Sequence, residues 1–229
     1  MIRDKLIVRR RPGDLETPVS AMMKLGADTP GTFLFESIHG GERLGRYSFI
    51  GLAPRRWMRV QDGVGEVSDN IAFVGAVQLD ETPKQALRMF AEEARANVPE
   101  GEADLPPMAS GAFGYVGYDF IQHVEPVSIT NPDTLNVPEA LLIIPGVVLI
   151  FDHLYQELLL IGRYSEGEEA HVNRLLDNVE NSLESPPPIS PRDGQAEDLD
   201  FTSNTTKDQY FGMVDKARDY IKAGDIFQV

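Results

Sequence analysis

The sequence predicts an α+β protein in which antiparallel β-sheets are flanked by helices. Apolar runs with the length of strands often follow one another without an intervening helix, which favours antiparallel pairing over βαβ winding. Four other segments carry apolar residues at helical spacing. The predicted strands are residues 6–9, 32–37, 47–52, 56–61, 72–78, 111–118, 146–152 and 156–163, and the last two form a predicted hairpin around His153.

Each predicted helix has an identifiable start. Thr17-Pro18 opens the first helix and Gly26 ends it, because proline is favoured at the first helical position and glycine just after the last. The other three helices begin with a capping box, in which Ser or Thr is followed three residues later by Glu or Gln. These boxes are Thr82 with Gln85, Ser165 with Glu168, and Thr206 with Gln209.

The composition argues against nucleic acid and membrane partners. The 229 residues carry a net charge of −15, whereas nucleic acid binding needs a basic face. The basic cluster of Arg55, Arg56 and Arg59 is interpreted as a solvated strand edge. No run approaches the roughly 18 apolar residues of a membrane span, and no secretory signal is found. Cysteine is absent, which excludes disulfide scaffolds and thiolate metal sites. These features predict a cytoplasmic protein.

A proline-rich, acidic segment divides the chain. Residues 183–204 are predicted to be a linker between a body, residues 1–182, and a short tail, residues 205–229. The tail combines one helix with a strand-like apolar run at residues 225–229. Because an unpaired apolar strand edge promotes aggregation, the sequence is predicted to be the front part of a longer protein.

The densest local signal for a binding site lies in residues 33–54. Two strand patterns flank a glycine-rich loop of mixed charge, and a simple hairpin accounts for most segments of this kind. Glu36 and Ser37 end the first strand beside this loop. An acid can bind the ammonium group of a small zwitterion, while a hydroxyl and backbone N–H groups bind its carboxylate.

Other candidate sites are weaker. In residues 111–126 the spacing of Gly111, Gly114 and Gly117 differs from that of a phosphate loop. The glycines therefore predict close backbone approach, with Tyr115, Tyr118 and Phe120 packed in the core. The four histidines are scattered, and the sequence predicts no metal site, nucleophile or acid–base pair.

Four motifs, in order, resemble the anthranilate synthase component I family of chorismate-utilising enzymes. They are ESIHGGERLGRYSFIGLAP (36–54), GAFGYVGYDFIQHVEP (111–126), NPDTLNVPEALLIIPGVVLIFDH (131–153) and SNTTKDQYFGMVDKARDYIKAGDIFQV (203–229). The resemblance implies an incomplete two-sheet sandwich fold, with residues 1–182 as a regulatory domain and residues 205–229 as the start of the chorismate-binding domain. The aminodeoxychorismate synthase component I family shares this fold and chemistry and remains the alternative.

The resemblance also implies an activity for the longer protein. Chorismate and ammonia, delivered from glutamine by an amidotransferase subunit (component II), would give anthranilate and pyruvate. Mg²⁺ would be required, because a divalent cation neutralises the two carboxylates of chorismate. The family's metal ligands and acid–base residues would follow Val229, so no catalytic residue is assigned and the fragment alone is expected to be inactive.

A regulatory site can be carried over residue by residue. In the family, the inhibitor L-tryptophan binds beside a leucine-glutamate-serine motif, which reads Phe35-Glu36-Ser37 here. A basic residue from the next strand contributes in some members, and Arg46 is the candidate, with Tyr47 competing because the register is uncertain by one residue. The later domain would complete the pocket, so half a site is expected. A stand-alone amino-acid-binding module is the second functional class.

Overall fold

The computed structural model describes residues 3–26, 28–36, 45–106, 108–188 and 201–228. The chain separates into two compact units, Met1–Pro188 and Ile189–Val229. The first unit contains all the described strands. They are β1 (Lys5–Pro12), β2 (Phe33–Phe35), β3 (Tyr47–Gln61), β4 (Val64–Ser68), β5 (Val77–Gln78), β6 (Phe113–Val116), β7 (Ala140–Asp152) and β8 (Glu157–Tyr164).

These eight strands form one antiparallel sheet. Its order is β1-β8-β7-β3-β4-β5, with β2 paired to β3 and β6 paired to β7. The predicted hairpin is present as β7 and β8, which pair from Val147 with Gly162 to Asp152 with Glu157. The predicted α+β class with antiparallel pairing is confirmed.

Among the described residues, three α-helices belong to the first unit and one to the second. They are α1 (Pro18–Leu25), α2 (Pro83–Glu93), α3 (Glu169–Glu184) and, in the second unit, α4 (Lys207–Ala223). Thr17, Thr82 and Thr206 cap α1, α2 and α4 through complete capping boxes. The box predicted at Ser165 is only half formed. Glu168 accepts the Ser165 N–H at 3.0 Å, but Glu168 itself is the N-cap residue of α3 and makes no side-chain cap.

Both faces of the sheet are buried, which explains the continuous apolar sequence of β7. Side chains of successive strand residues point to opposite faces. Leu149 and Leu160 accordingly pack with α1 and α3 in one core cluster, whereas Ile150 and Ile161 pack with Phe113 in another. Each of these buried side chains stabilises the fold by about 1.5–3 kcal/mol relative to exposure.

The structure joins two strands that were predicted separately, residues 47–52 and 56–61. β3 continues through Pro54. The register against β7 shifts between Pro54 and Arg56, and Ala53 takes a φ of 50°. A bulge of this kind accommodates a proline that cannot donate to the ladder. β3 is also an interior strand, so the prediction of a solvated edge is wrong. Arg55, Arg56 and Arg59 are half-buried and ion-paired.

Two further strand predictions were wrong in extent. Of residues 72–78 only Val77–Gln78 forms a strand, since Phe73 and Gly75 have φ values of 53° and 71° and form a turn. Of residues 111–118 only Phe113–Val116 is a strand, and a 3₁₀ helix, Tyr118–His123, follows it.

The aromatic residues of that segment only partly follow the predicted core pattern. Phe120 is buried, but Tyr115 is 41% and Tyr118 88% exposed. For Tyr118, the reason is that the strand ends at Val116. The strand alternation on which the core prediction depended therefore stops before Tyr118.

The second unit contains the capped helix α4. Gly224 ends this helix in the left-handed conformation, with a φ of 82°. The strand-like run predicted at residues 225–229 forms no strand in its described part, 225–228, and Phe227 is 91% exposed. A strand requires a paired neighbour, and the described part of the second unit contains no strand.

Candidate functional site

An aromatic cavity of about 310 Å³ lies where β2, β3 and β6 come together. Phe35 and Glu36 reach it from the end of β2, Tyr47 and Phe49 from the start of β3, and Phe113 from β6. This volume is at the lower end of the range for small-molecule sites, about 300–1,000 Å³. We call this space the aromatic cavity.

Strand pairing brings the aromatic rings together. Phe35 lies directly opposite Phe49 in the β2–β3 ladder, and Phe33, two residues before Phe35, projects from the same face. The Phe33 ring centroid lies 5.0 Å from that of Phe35 and 4.8 Å from that of Phe113. These separations are typical of favourable aromatic pairs.

A glycine in β3 makes room for this arrangement. Gly51 pairs with Phe33 across the ladder, and a Cβ at Gly51 would overlap the Phe33 ring. The absence of a side chain at Gly51 therefore allows the ring to lie over the backbone of β3 and to contact Phe113.

The aromatic cavity has one carboxylate among its described lining residues. Glu36 is exposed and follows the last residue of β2, so it lies where the cavity meets solvent. Tyr47 provides a hydroxyl. Burial and the charge of Asp152 raise the pKa of Tyr47, and the nearby Arg46 lowers it less, so the hydroxyl remains protonated at neutral pH. The cavity thus combines flat apolar walls, a negative charge and a hydrogen-bond donor.

Arg46 forms an ion pair with a neighbouring carboxylate, that of Asp152. Its Nη2 lies 2.7 Å from Asp152 Oδ2 and its Nε 3.1 Å from Oδ1, and the guanidinium lies over the rings of Tyr47 and Tyr155. Burial by itself would raise the pKa of Asp152. Hydrogen bonds from Arg46 and from the backbone N–H groups of Tyr155 and Leu154 outweigh this effect and lower it.

A sequence profile of the chorismate binding enzymes matches residues 42–229. The chain belongs to this family. Among curated relatives, anthranilate synthase component 1 of Cereibacter sphaeroides is 36% identical over 99% of the chain and 47% of its own length. The same enzyme component of Thermus thermophilus is 37% identical over 94% of the chain and 44% of its own length.

A solved structure agrees with these relatives. The crystal structure of anthranilate synthase component I from Streptococcus pneumoniae is similar with a TM-score of 0.58 and 26% identity. The match covers 94% of this chain and 46% of that chain. The resemblance found in the motifs is confirmed, and the chain spans about half the length of the relatives it matches.

The structure brings together some of the predicted site residues. Phe35, Glu36 and Tyr47 line the aromatic cavity. Arg46 lies next to it, paired with Asp152. Ser37 lies outside the described residues.

Sequence reasoning missed other lining residues. Phe49 shares a strand face with Tyr47, so alternation within β3 could have identified it. Phe113, Gly114 and Leu142 come from β6 and β7, and no local spacing relates these strands to β2.

The described residues contain no cluster of metal-ligating side chains. Within the described ranges, no three His, Asp or Glu side chains come together as a possible metal site. In the same ranges, no helix has the length and apolar character needed to cross a lipid bilayer.

Proposed function

We propose that the chain is the N-terminal part of an anthranilate synthase component I and that its aromatic cavity binds L-tryptophan as a feedback inhibitor. The observation that carries the proposal is the convergence of Phe35, Glu36 and Tyr47 on one cavity. The names of the relatives from Cereibacter sphaeroides and Thermus thermophilus support it. Residues 1–182 then act as the regulatory domain, 183–204 as a linker and 205–229 as the start of the catalytic domain.

The whole protein would convert chorismate and ammonia to anthranilate and pyruvate in the cytoplasm. A glutamine amidotransferase subunit, component II, would supply the ammonia. In this proposal, the ligands of Mg²⁺ and the acid–base groups lie outside the described residues, because the described residues form no metal cluster. The chain alone would bind the inhibitor without performing the reaction.

The chemistry of the cavity fits an aromatic amino acid. An indole ring would lie against Phe35, Phe49 and Phe113, while Glu36 would bind the ammonium group through a charge-assisted hydrogen bond. Burial of about 150–250 Å² of indole surface corresponds to a gross stabilisation of about 4–6 kcal/mol. Association costs reduce this value, so a half-site would bind L-tryptophan weakly.

Inhibition requires that L-tryptophan bind one arrangement of the whole protein better than another. A ligand shifts an equilibrium only by its differential affinity for the two states. A pocket completed by residues of the later domain would meet this requirement, because closing the pocket and binding the ligand would then be one event.

The reaction is tested on the whole protein with chorismate, ammonia and Mg²⁺. Anthranilate as the product supports the proposal, whereas aminodeoxychorismate identifies the alternative family and a folded but inactive protein contradicts both. In the same assay, Ser37→Ala should weaken inhibition by L-tryptophan and leave uninhibited turnover nearly unchanged. Equal loss of both would argue that Ser37 is structural.

The binding site is tested on the chain by calorimetry. Weak, saturable binding of L-tryptophan, tighter than that of indole, is expected because indole lacks the ammonium group that Glu36 would bind. Tight binding would contradict the half-site and favour a stand-alone amino-acid-binding module.

A further inference from the structure

A second cleft, of about 1120 Å³, is lined by residues of α2, β3, β7 and β8 and of the segments next to β1, β4 and β8. It shares no lining residue with the aromatic cavity. Its charged lining consists of Arg3, Arg55, Arg56, Arg88 and Arg163 together with Asp4, Asp69, Glu92 and Glu93. The lining therefore has a small positive excess, although the chain has a net charge of −15. We call this space the arginine cleft.

Arg163 is the most deeply buried cation of the arginine cleft. It is 4% exposed, its Nη1 lies 3.3 Å from Asp4 Oδ2, and its Nη2 donates to the carbonyl of Ala94. Burial lowers the pKa of Arg163 and the nearby Arg55 lowers it further, while Asp4 and Glu93 raise it and offset only part of this effect.

Arg56 contains a buried donor without an acceptor. Its Nη1 lies 2.8 Å from Asp69 Oδ1. Its Nε lies 3.0 Å from Glu93 Oε1, but the direction is wrong for an N–H bond, so this buried nitrogen has no hydrogen-bond partner. Buried donors without an acceptor are uncommon in native structures.

Two cations of the cleft lack a carboxylate partner among the described residues. The ion pairs at the cleft join Arg55 to Glu168, Arg56 to Asp69 and Glu93, and Arg163 to Asp4. Within the described residues, Arg3 and Arg88 form no ion pair, and both are exposed. These guanidinium groups are therefore available to a ligand without first breaking an internal ion pair.

We propose that the arginine cleft binds a small multivalent oxyanion, either a di- or tricarboxylate or a phosphate compound. Guanidinium groups bind both through paired N–H···O bonds. The carboxylates of Asp69 and Glu93 hold Arg56 in place. Arg88 and Arg3 supply donors outside the described ion pairs, and the Nε of Arg56 is a further donor without a hydrogen-bond acceptor. The site is independent of L-tryptophan binding, and its ligand class differs from that of the aromatic cavity.

The test is calorimetric titration of the chain with citrate and, separately, pyrophosphate at constant ionic strength. We expect saturable one-to-one binding that Arg88→Gln weakens at least about tenfold, which corresponds to about 1.4 kcal/mol. Arg174→Gln is the matched control, since Arg174 is an exposed arginine of α3 outside the cleft. It removes the same charge and should leave affinity unchanged. Binding of citrate alone identifies a carboxylate ligand, and binding of pyrophosphate alone a phosphate ligand.

A second variant tests the unpaired donor. Arg56→Lys keeps the charge but removes Nε–H, so it should also weaken binding. Urea unfolding checks that this variant is folded. Addition of L-tryptophan should displace neither anion. The proposal is overturned if neither anion binds saturably, or if Arg88→Gln and Arg174→Gln weaken binding equally, because general charge attraction would then explain the effect.

Discussion

The Arg46 guanidinium lies 2.7 Å from the Asp152 carboxylate, and this ion pair joins the residue before β3 to the last residue of β7. The backbone N–H of His153 donates to the Arg46 carbonyl at 2.8 Å, next to the ion pair. Tyr47, a wall of the aromatic cavity, is directly opposite Asp152 in the ladder. The β7–β8 turn therefore fixes the position of one side of the cavity.

Asp152→Asn should destabilise the first unit. Asp152 is 5% exposed and accepts hydrogen bonds from Arg46 and from the N–H groups of Leu154 and Tyr155. Since hydrogen bonds to a charged group contribute about 1.5–3 kcal/mol, loss of the charge should lower the free energy of unfolding by about 1–3 kcal/mol in urea titrations.

Asp177→Asn is the control for this substitution. Asp177 also pairs with an arginine, Arg9, at 2.8 Å, but its side chain is 58% exposed. Exposed pairs contribute about 0–1 kcal/mol, so this variant should cost less. Equal costs for the two variants would contradict a special role of Asp152.

The contribution of Asp152 should depend on pH. Its pKa is lowered in the folded protein, so the unfolded chain binds the proton more readily and protonation favours unfolding. The stabilisation is complete above the ordinary Asp pKa of about 3.9 and is lost as the pH falls through the lowered folded-state pKa. The difference in unfolding free energy between wild type and Asp152→Asn should therefore be constant from pH 7 to about 5 and shrink below about 4. A difference that does not shrink below the ordinary Asp pKa would contradict this assignment.

Gly114→Ala should disrupt β6 and the cavity wall it forms. Gly114 has a φ of 152°, and an added Cβ would overlap the carbonyl oxygen of Leu141 in the neighbouring strand. Because backbone cannot rotate away as a side chain can, we expect a loss of about 3 kcal/mol or more in urea unfolding.

Gly212→Ala is the matched control for Gly114→Ala. Gly212 lies within α4, and apart from its chain neighbours and the backbone of its own helix no atom lies within 4 Å of its added Cβ. Alanine should favour this helix by about 0.5–1 kcal/mol and raise the helical circular dichroism signal. A loss below 1 kcal/mol for Gly114→Ala would show that β6 and β7 can separate easily.

Glu36→Gln should weaken binding of L-tryptophan about tenfold, equivalent to one charge-assisted hydrogen bond of about 1.4 kcal/mol. Binding of indole should not change, because indole has no ammonium group. Calorimetry measures both ligands, with Glu125→Gln as the control, since Glu125 is exposed and does not line the cavity. Unchanged affinity for L-tryptophan in Glu36→Gln would exclude Glu36 as the ammonium ligand.

The fold class and three of the four predicted helix starts could be obtained from the sequence because caps and apolar runs are local signals. β4 was missed, although Asp62-Gly63 before it is a strong hairpin signal. The structure gives these residues φ values of 51° and 74°, as a two-residue turn with both φ values positive requires. With β4 unrecognised, β3 was taken for an edge, and its arginines were therefore placed in solvent.

Sequence reasoning found only part of the candidate site. Phe35 and Glu36 are adjacent in the chain, so a motif could identify them. Phe113 enters the cavity because β6 pairs with β7, and that long-range pairing leaves no periodic signal. The ion pair between Arg46 and Asp152 could not be predicted from the sequence either, because the two residues are brought together only by the β3–β7 ladder.

That ladder has a consequence for synthesis of the protein. It joins Val60 to Ala140 at one end and Tyr47 to Asp152 at the other. At a translation rate of about 5–20 residues per second, β3 leaves the ribosome about 4–20 s before its partner. The β3–β4 hairpin can form within microseconds and protects one edge, but the other edge stays open for seconds. A chaperone that shields nascent hydrophobic strands should therefore raise the yield of native protein.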